Sequence, residues 1–513
     1  MIHWENLFKK EYIASIISGL LLTAAFPNVS LYGLVWIALI PLLWANENTS
    51  LKMSFKLGWL TGFTFIYTLI YFLHQLFKFN PGIIICTPLL AAYCGLFYGG
   101  AMVVYRRITV HYPKLSWIIF PMVWVSMEYV RGLGILAFPW GWLGYTQMAV
   151  SPLLQLSAYT GILGVSFLIA LANISLYWII RQWIQKQPLK IGILYPVCFT
   201  LFLLAAALYL GYNRLSVTPS HSSLRVGIVQ GNIPQETKWD ETKDKANFDK
   251  YLRLSQQAID QGAQLVVWPE TAMADFFLFR DDYQQGVKNL AIKNKVPIYA
   301  GTIWGDEKSY YNSMLLIEPN GQFKQIYHKG NLLPFGEYLP LEGLFPFFKK
   351  LPMAPNHFSS GTIQNLIHIS TMSANEINLG TLICFESTLP RLAVSLANKN
   401  ADILTITTND SWFGKTSAPY EHRDIARIRA IESGLPVIRA ANTGYSCFID
   451  PKGNELSGLD IYREGILVDD IPLYKIQTLY AKTGDILPLL CGILTALFLA
   501  LTFHINKKKS ERI

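Results

Sequence analysis

Apolar residues are spread along this chain so unevenly that a single soluble core is excluded. They fill residues 11 to 212, thin out between about 213 and 480, and return at 486 to 505. Inside a bilayer the backbone must satisfy its own hydrogen bonds, so an apolar stretch of about 20 residues reads as a spanning helix. Such stretches centre on Ile17, Ile37, Ile66, Leu90, Val123, Ile169, Leu203 and Ala496, which predicts about eight spans. The expected organisation is a helix bundle over 1–212 (about seven spans), a polar domain over 213–480, and a last helix with a basic tail over 481–513. The composition agrees, since 52% of residues are hydrophobic and only 15% charged. The fifth span ends in Glu128 and Arg131. Charges at such a place are functional or paired, and a mutual pair at the interface is the simpler alternative.

Orientation follows from where the short loops keep lysine and arginine. One side carries Lys9, Lys10, Lys52, Lys56, Arg106, Arg107, Lys114, Arg181, Lys186 and Lys190, then Lys507, Lys508, Lys509 and Arg512. The short loops of the other side hold little beyond Lys78 and Arg131. Both termini are therefore expected in the cytoplasm and the polar domain outside it. Lys9 and Lys10 ahead of an apolar run imitate a signal peptide, but further spans follow at once, so an uncleaved first helix is expected. The net charge of +9 fits topology and anionic inner-leaflet lipid. No basic cluster with interleaved aromatics occurs in the polar domain, so nucleic acid is not an expected partner. Metal-ligand spacings of Cys and His are absent too, and no metal or cofactor is expected. Only Cys384 and Cys447 lie in the polar domain. A disulfide between them is open in an oxidising compartment and would disable either as a nucleophile.

The polar domain alternates short β-branched runs with helical stretches. Strands are read at 225–230, 265–267, 297–303, 379–383, 403–407, 437–440 and 446–449, with helices near 244–261 and 390–397. A hairpin at 313–327 turns at Pro319-Asn320-Gly321, residues that suit a tight turn. Strands separated by helices predict an α/β sandwich with covered sheets. Residues 341–361 fit neither period and carry Phe345, Phe347, Phe348 and Met353. A long loop of this kind is read as a lipid-facing lid, with a loop packed on its own domain as the plain alternative.

Three polar residues stand where chemistry is easily placed. Cys384 follows the apolar strand Leu379–Ile383 and precedes a helix, a turn where backbone N–H groups favour thiolate and can bind an oxyanion. Taken alone, a cysteine there is more often core. Glu270 ends the run Leu265-Val266-Val267-Trp268-Pro269 and presents a carboxylate at a strand end, as a base or as a solvated cap. Lys329 follows the hairpin among Leu, Pro, Phe and Gly, where partial burial makes a lysine useful.

In this order and context the three residues resemble the nitrilase (carbon–nitrogen hydrolase) superfamily. The resemblance rests on Trp268-Pro269-Glu270, the Lys329 segment and Cys384-Phe385-Glu386. Placed between membrane spans, such a domain looks like the apolipoprotein N-acyltransferase family. QGNIPQETKWD at 230–240, KGNLLPFGEYLP at 329–340, TNDSWFG at 408–414 and EHRDIARIRAIESGLPVIRAANTG at 421–444 extend the likeness over effectively the whole chain. One departure is Phe385, where the family usually has Tyr.

The resemblance implies an α-β-β-α catalytic sandwich on the periplasmic side of a bacterial inner membrane. It implies that Cys384 takes a fatty acyl group from a phospholipid, typically phosphatidylethanolamine, as a thioester. The thioester then passes to the α-amine of a diacylglyceryl-cysteine on an apolipoprotein. Glu270 is implied as the base, and Lys329 with the Phe385 N–H as the oxyanion site. Glu337 and Glu386 match further carboxylates of the family, either as proton relays or as residues orienting Lys329. Trp239 and Trp412 match tryptophans near the lipid pocket, although aromatics in such loops are more often packing. The competing enzyme reading is a membrane-tethered amidase or nitrilase acting on a small periplasmic molecule. A transporter or scaffold with a degenerate domain is the non-enzymatic one. If the 341–361 loop is a lipid-facing lid, replacing Phe345, Phe347 and Phe348 together with Ser lowers activity on lipid substrate. Unchanged activity in that assay would remove the lid.

Overall fold

A computed structural model describes residues 9–187, 191–216, 219, 222–305, 309–340, 358–361, 365–371 and 376–510. The chain divides into two compact units: Met1–Phe77 with Ile83–Ser216 and Asp485–Ile513, and Lys78–Gly82 with Val217–Gly484. Most of the predicted lid, including Phe345, Phe347, Phe348 and Met353, lies outside the described residues.

In the first unit every predicted span centre falls within a helix except Ile37, which lies in the turn between Tyr32–Trp36 and Ile40–Ala45. Among the described residues four helices are long and apolar enough to cross a bilayer: Ile83–His111, Ile162–Ile184, Ile191–Ser216 and Ile486–Ile505. A fifth joins them if Leu51–Leu69 and Tyr71–Lys78, bent by 51° at their junction, count as one span. Lys10–Ala24 and Ser116–Arg131 are helices of 15 and 16 residues, and Tyr32–Ala45 is a shorter apolar pair of helical turns. The chain is a membrane protein whose helices pack through small residues. A Cβ on Gly58 or Gly62 would strike Tyr98, and one on Gly99 would strike Phe55. Close backbone approach at glycine is how helices gain contact where lipid offers no hydrophobic drive. Glu128 and Arg131 are fully buried and, among the described residues, form no direct ion pair. Glu128 Oε1 accepts from the Trp124 indole (3.1 Å) and the Leu143 N–H (2.9 Å). Arg131 Nη1 donates to the carbonyls of Phe138 (2.8 Å) and Trp140 (2.7 Å). The simple interfacial pair is thereby replaced: both side chains hold the backbone of the loop that follows their helix.

The second unit is built on two sheets. The first runs in the order Gly465–Pro472, Ser223–Gln230, Leu265–Val267, Ile298–Gly305, Tyr310–Ile317, Phe323–His328, with Met273–Phe276 beside Ile298–Gly305. The second runs Glu455–Leu459, Ser446–Ile449, Val437–Ala441, Ile403–Thr408, Ile377–Ile383, Ile367–Ile369. The central strands of both are parallel to a neighbour. They are rich in buried apolar residues because both faces are covered. Leu224, Val226, Ile228 and Tyr299 from the first sheet meet Leu379, Ile383, Ile403 and Ile438 from the second in one core between the sheets. The alternate residues Val229, Val266 and Ile298 face Tyr251, Leu254 and Val287 of helices Glu241–Asp260 and Asp281–Asn294. On the opposite side Leu382, Leu404 and Val437 face Ala393, Leu396, Ala426 and Ala430 of helices Pro390–Asn398 and Ala418–Ser433. These four layers are the predicted sandwich. Burying the inner residues stabilises the pairing of the sheets by about 25 cal/mol per Å² of apolar surface.

The sheet positions its catalytic candidates by close backbone approach. A Cβ added at Gly301 would lie 2.1 Å from the Pro269 carbonyl and 2.9 Å from Glu270 Cα. Only glycine lets the Ile298–Gly305 strand pass under the segment that carries Glu270. Gly301→Ala is therefore expected to destabilise the protein by about 1–3 kcal/mol and displace Glu270. A lowered unfolding temperature with reduced activity checks this, and wild-type values for both would contradict it.

Candidate active site

The candidate site gathers at the carboxyl ends of strands from both sheets, the usual place for ligands in parallel α/β structures. Glu270 follows Leu265–Val267 through Trp268 and Pro269. Lys329 follows Phe323–His328, and its N–H donates to the Asn312 carbonyl (2.8 Å), which makes it the next cross-strand partner on the Tyr310–Ile317 strand. Cys384 directly follows Ile377–Ile383 from the second sheet. Asn409 and Asp410 follow Ile403–Thr408.

Lys329 is 1% exposed, yet its ammonium is well compensated. Nζ lies 2.9 Å from Glu337 Oε1, 2.8 Å from Glu337 Oε2 and 3.6 Å from Glu270 Oε1. Burial opposes its charge, but Glu337 and then Glu270, joined by Cys384, outweigh burial and hold the lysine well above its ordinary range. Its charge is fixed rather than mobile. Asn312 Nδ2 donates to Glu270 Oε1 (2.7 Å) and to Glu337 Oε1 (3.0 Å), tying the two carboxylates together. The Asn409 N–H holds Glu270 Oε2 (2.7 Å), and the Leu333 N–H holds Glu337 Oε2 (2.7 Å).

Glu386 is buried but does not share these donors. It accepts from the Tyr327 hydroxyl (2.8 Å), from the N–H groups of Gly330 and Asn331 (3.0 Å each) and from the Ile383 N–H (2.8 Å). Burial pushes its carboxyl up, against the pull of those N–H groups and of Lys329. The predicted cluster of three carboxylates thus resolves into two functions. Glu337 pairs with Lys329, and Glu386 laces the loop after Lys329 to the strand end before Cys384.

Cys384 has φ +51°, a left-handed backbone that costs a non-glycine residue about 1 kcal/mol or more and that clusters at functional turns. Thr271, next to Glu270, is also left-handed at +46°. The Cys384 carbonyl accepts from the Ser387 hydroxyl (2.8 Å) and lies 3.2 Å from His422 Nε2. His422 is backed by Asp410 (Nδ1 to Oδ1, 3.1 Å), and Asp410 by Arg439 (2.8 Å). This buried string braces the turn from behind. Cys384 and Cys447 are both free, so the disulfide is not formed. Cys447 belongs to the core between the second sheet and its helices. Burial pushes the Cys384 thiol up, Glu270 adds to this and Lys329 opposes it. Burial thus works against the thiolate that the strand-to-helix turn was expected to favour. Desolvation outweighs the neighbouring cation, and a base must remove the proton.

The remaining predicted residues sit at the edges of the site. Phe385 is half-buried, and its carbonyl accepts from Thr388 Oγ1 (2.7 Å). Trp239, 43% exposed, caps the short helix Gln235–Lys238. Trp412 is half-buried, with its ring edge-on to Phe79 of the same unit at 5.5 Å. Asn312, Asn409, Asp410, His422 and Lys238 were not singled out in the sequence. His422 and Asp410 lay within quoted segments, but nothing local distinguishes them from capping residues.

Asn312→Leu removes the donor shared by Glu270 and Glu337 and leaves buried oxygens short of a partner, at about 1–3 kcal/mol. Activity is expected to fall by about tenfold or more, given about 1.4 kcal/mol per decade. Rate measurements on the folded variant check this, and a wild-type rate would contradict it.

The carbon–nitrogen hydrolase family model matches residues 225–481, and the apolipoprotein N-acyltransferase N-terminal domain model matches residues 18–175. The chain is similar to the apolipoprotein N-acyltransferase of Geobacter metallireducens, at 33% identity over 98% of this chain and 97% of that protein. The enzyme of the same name from Shewanella oneidensis is 31% identical over 96% of this chain and 95% of its own length. That of Haemophilus influenzae is 28% identical, covering 96% and 94%.

Proposed function

Since this chain belongs to the apolipoprotein N-acyltransferase family, we propose that it N-acylates lipoproteins in two steps through a thioester on Cys384. The observation that carries the reading is the buried set Glu270–Lys329–Glu337, with Lys329 Nζ 3.6 Å from Glu270 and Cys384 within electrostatic reach of both Glu270 and Lys329. In the first step Glu270 takes the thiol proton and the sulfur attacks an ester carbonyl of a phospholipid, of which phosphatidylethanolamine is the expected donor. Negative charge gathers on the former carbonyl oxygen, where Lys329 and the Phe385 N–H stabilise it. Glu337, and Glu270 when ionised, favour the charged form of Lys329, which suits it to this role. The C–O bond breaks, and Glu270 returns the proton to the departing lysophospholipid oxygen. In the second step the α-amine of a diacylglyceryl-cysteine attacks the thioester and gives its proton to Glu270. The C–S bond breaks, and the proton returns to the Cys384 sulfur.

The surroundings proposed for this chemistry are those read from the sequence. Residues 213–480 form a periplasmic catalytic domain, held by about eight spans of the bacterial inner membrane with both termini in the cytoplasm. Placing the thioester at the bilayer lets acyl chains stay in the apolar phase and excludes the water that would hydrolyse it. The amidase alternative is not favoured, because residues 18–175 match the acyltransferase family's own helical domain, which a tether does not require.

Transfer and hydrolysis separate in one assay. Full-length protein given phospholipid alone is expected to release one equivalent of lysophospholipid and stop, and to resume when a diacylglyceryl-cysteine peptide is added. Continuous release of fatty acid without an acceptor would overturn the transfer reading.

A further inference from the structure

One buried cation has no part in the reaction as written. Lys238 is 3% exposed, and among the described residues it makes no ion pair. Its Nζ donates to the main-chain carbonyl of Glu270 at 3.3 Å. A lone buried ammonium costs stability, and an apolar side chain of similar length, such as Met, would fill the space without that cost. The cost has to be offset by something the charge does, and the group it faces is Glu270.

The helix that carries it, Gln235–Lys238, grips Glu270 at both ends. Lys238 holds the main-chain carbonyl. Gln235 Oε1 accepts from Asn409 Nδ2 (3.1 Å) and Ser411 Oγ (2.9 Å). Asn409 in turn places its N–H on Glu270 Oε2 (2.7 Å). We propose that Lys238 is a positioning residue for Glu270: seated behind it, the ammonium fixes the backbone that carries the base and sets a positive charge beside it.

The inference rests on Glu270 being the base. The charged and titratable groups facing Glu270 are Lys329 at 3.6 Å, Glu337 by way of Lys329, Cys384 and Lys238. The charge acting on Lys238 is that of Glu270. Burial pulls the Lys238 amine down to about 7, with Glu270 pulling it back up, so the ammonium is present at acid pH. Taking a cation away from beside the base moves the acid limb of the rate profile to higher pH.

The test is the pH profile of lysophospholipid release in a single turnover of the full-length protein. Wild type is compared with Lys238→Met, Lys238→Gln and Glu270→Gln, with folding of each checked by thermal unfolding. Both neutral variants at position 238 are expected to raise the acid limb by about half a pH unit or more. Lys238→Met, which also loses the hydrogen bond, is expected to be about tenfold slower on the plateau. Folded neutral variants with the limb at its wild-type position overturn the proposal, even if they are slow, since lost packing alone lowers the rate without moving the limb. A wild-type rate in Glu270→Gln instead removes the base assignment itself. Should neither neutral variant fold, Lys238→Arg decides. A wild-type limb with a rate within about threefold supports the role of the cation, and a limb raised by about half a unit overturns it.

Discussion

The site depends on one buried lysine shared between two carboxylates. Two carboxylates side by side in a low-dielectric interior repel each other. Lys329, with both Glu337 oxygens within 2.9 Å and Glu270 at 3.6 Å, is shared between them and offsets one of the two negative charges. Asn312 fills the donor requirement that one ammonium cannot meet. The strand pairing serves the same end. Asn312 and Lys329 are cross-strand neighbours on an antiparallel pair, so the hairpin's register sets the spacing of the charges. Gly301 lets the next strand pass close beneath Glu270.

This arrangement divides the proposed chemistry between groups that move protons and groups that do not. Glu337 and Glu270 favour the charged form of Lys329, which suits it to stabilise charge. Burial disfavours the thiolate of Cys384, so its attack calls for a base. Glu270 stands between them, with Asn312, Asn409 and the Lys238 contact governing its position. The left-handed turn at Cys384 is braced separately, by Ser387 and by the buried string His422–Asp410–Arg439. That bracing belongs to the second sheet, so the proposed nucleophile and the proposed base are positioned by different sheets across one core.

Much of this was legible in the sequence. Glu270, Lys329 and Cys384 each end or follow an apolar strand, and strand ends can be read from β-branched runs. The hairpin carried Pro319-Asn320-Gly321 as its turn. The strand Gly465–Pro472 was missed, because Asp469 and Asp470 interrupt its apolar pattern at its partly open position on the sheet edge, beside Ser223–Gln230. Asn312 and Lys238 were invisible for another reason. Their roles come from partners 42 and 32 residues away, and no local period records such a pairing. The spans were read by apolar content alone. Several are shorter helices, since a bundle can bury apolar residues against neighbouring helices as well as against lipid.

The account stands or falls on a covalent bond to one sulfur. Full-length protein incubated with phospholipid, then digested and analysed by peptide mass, should carry a fatty-acyl increment on the peptide containing Cys384. Cys384→Ala should lack it. An increment on the Cys447 peptide instead, or no acylated cysteine while acyl transfer proceeds, would contradict the central claim.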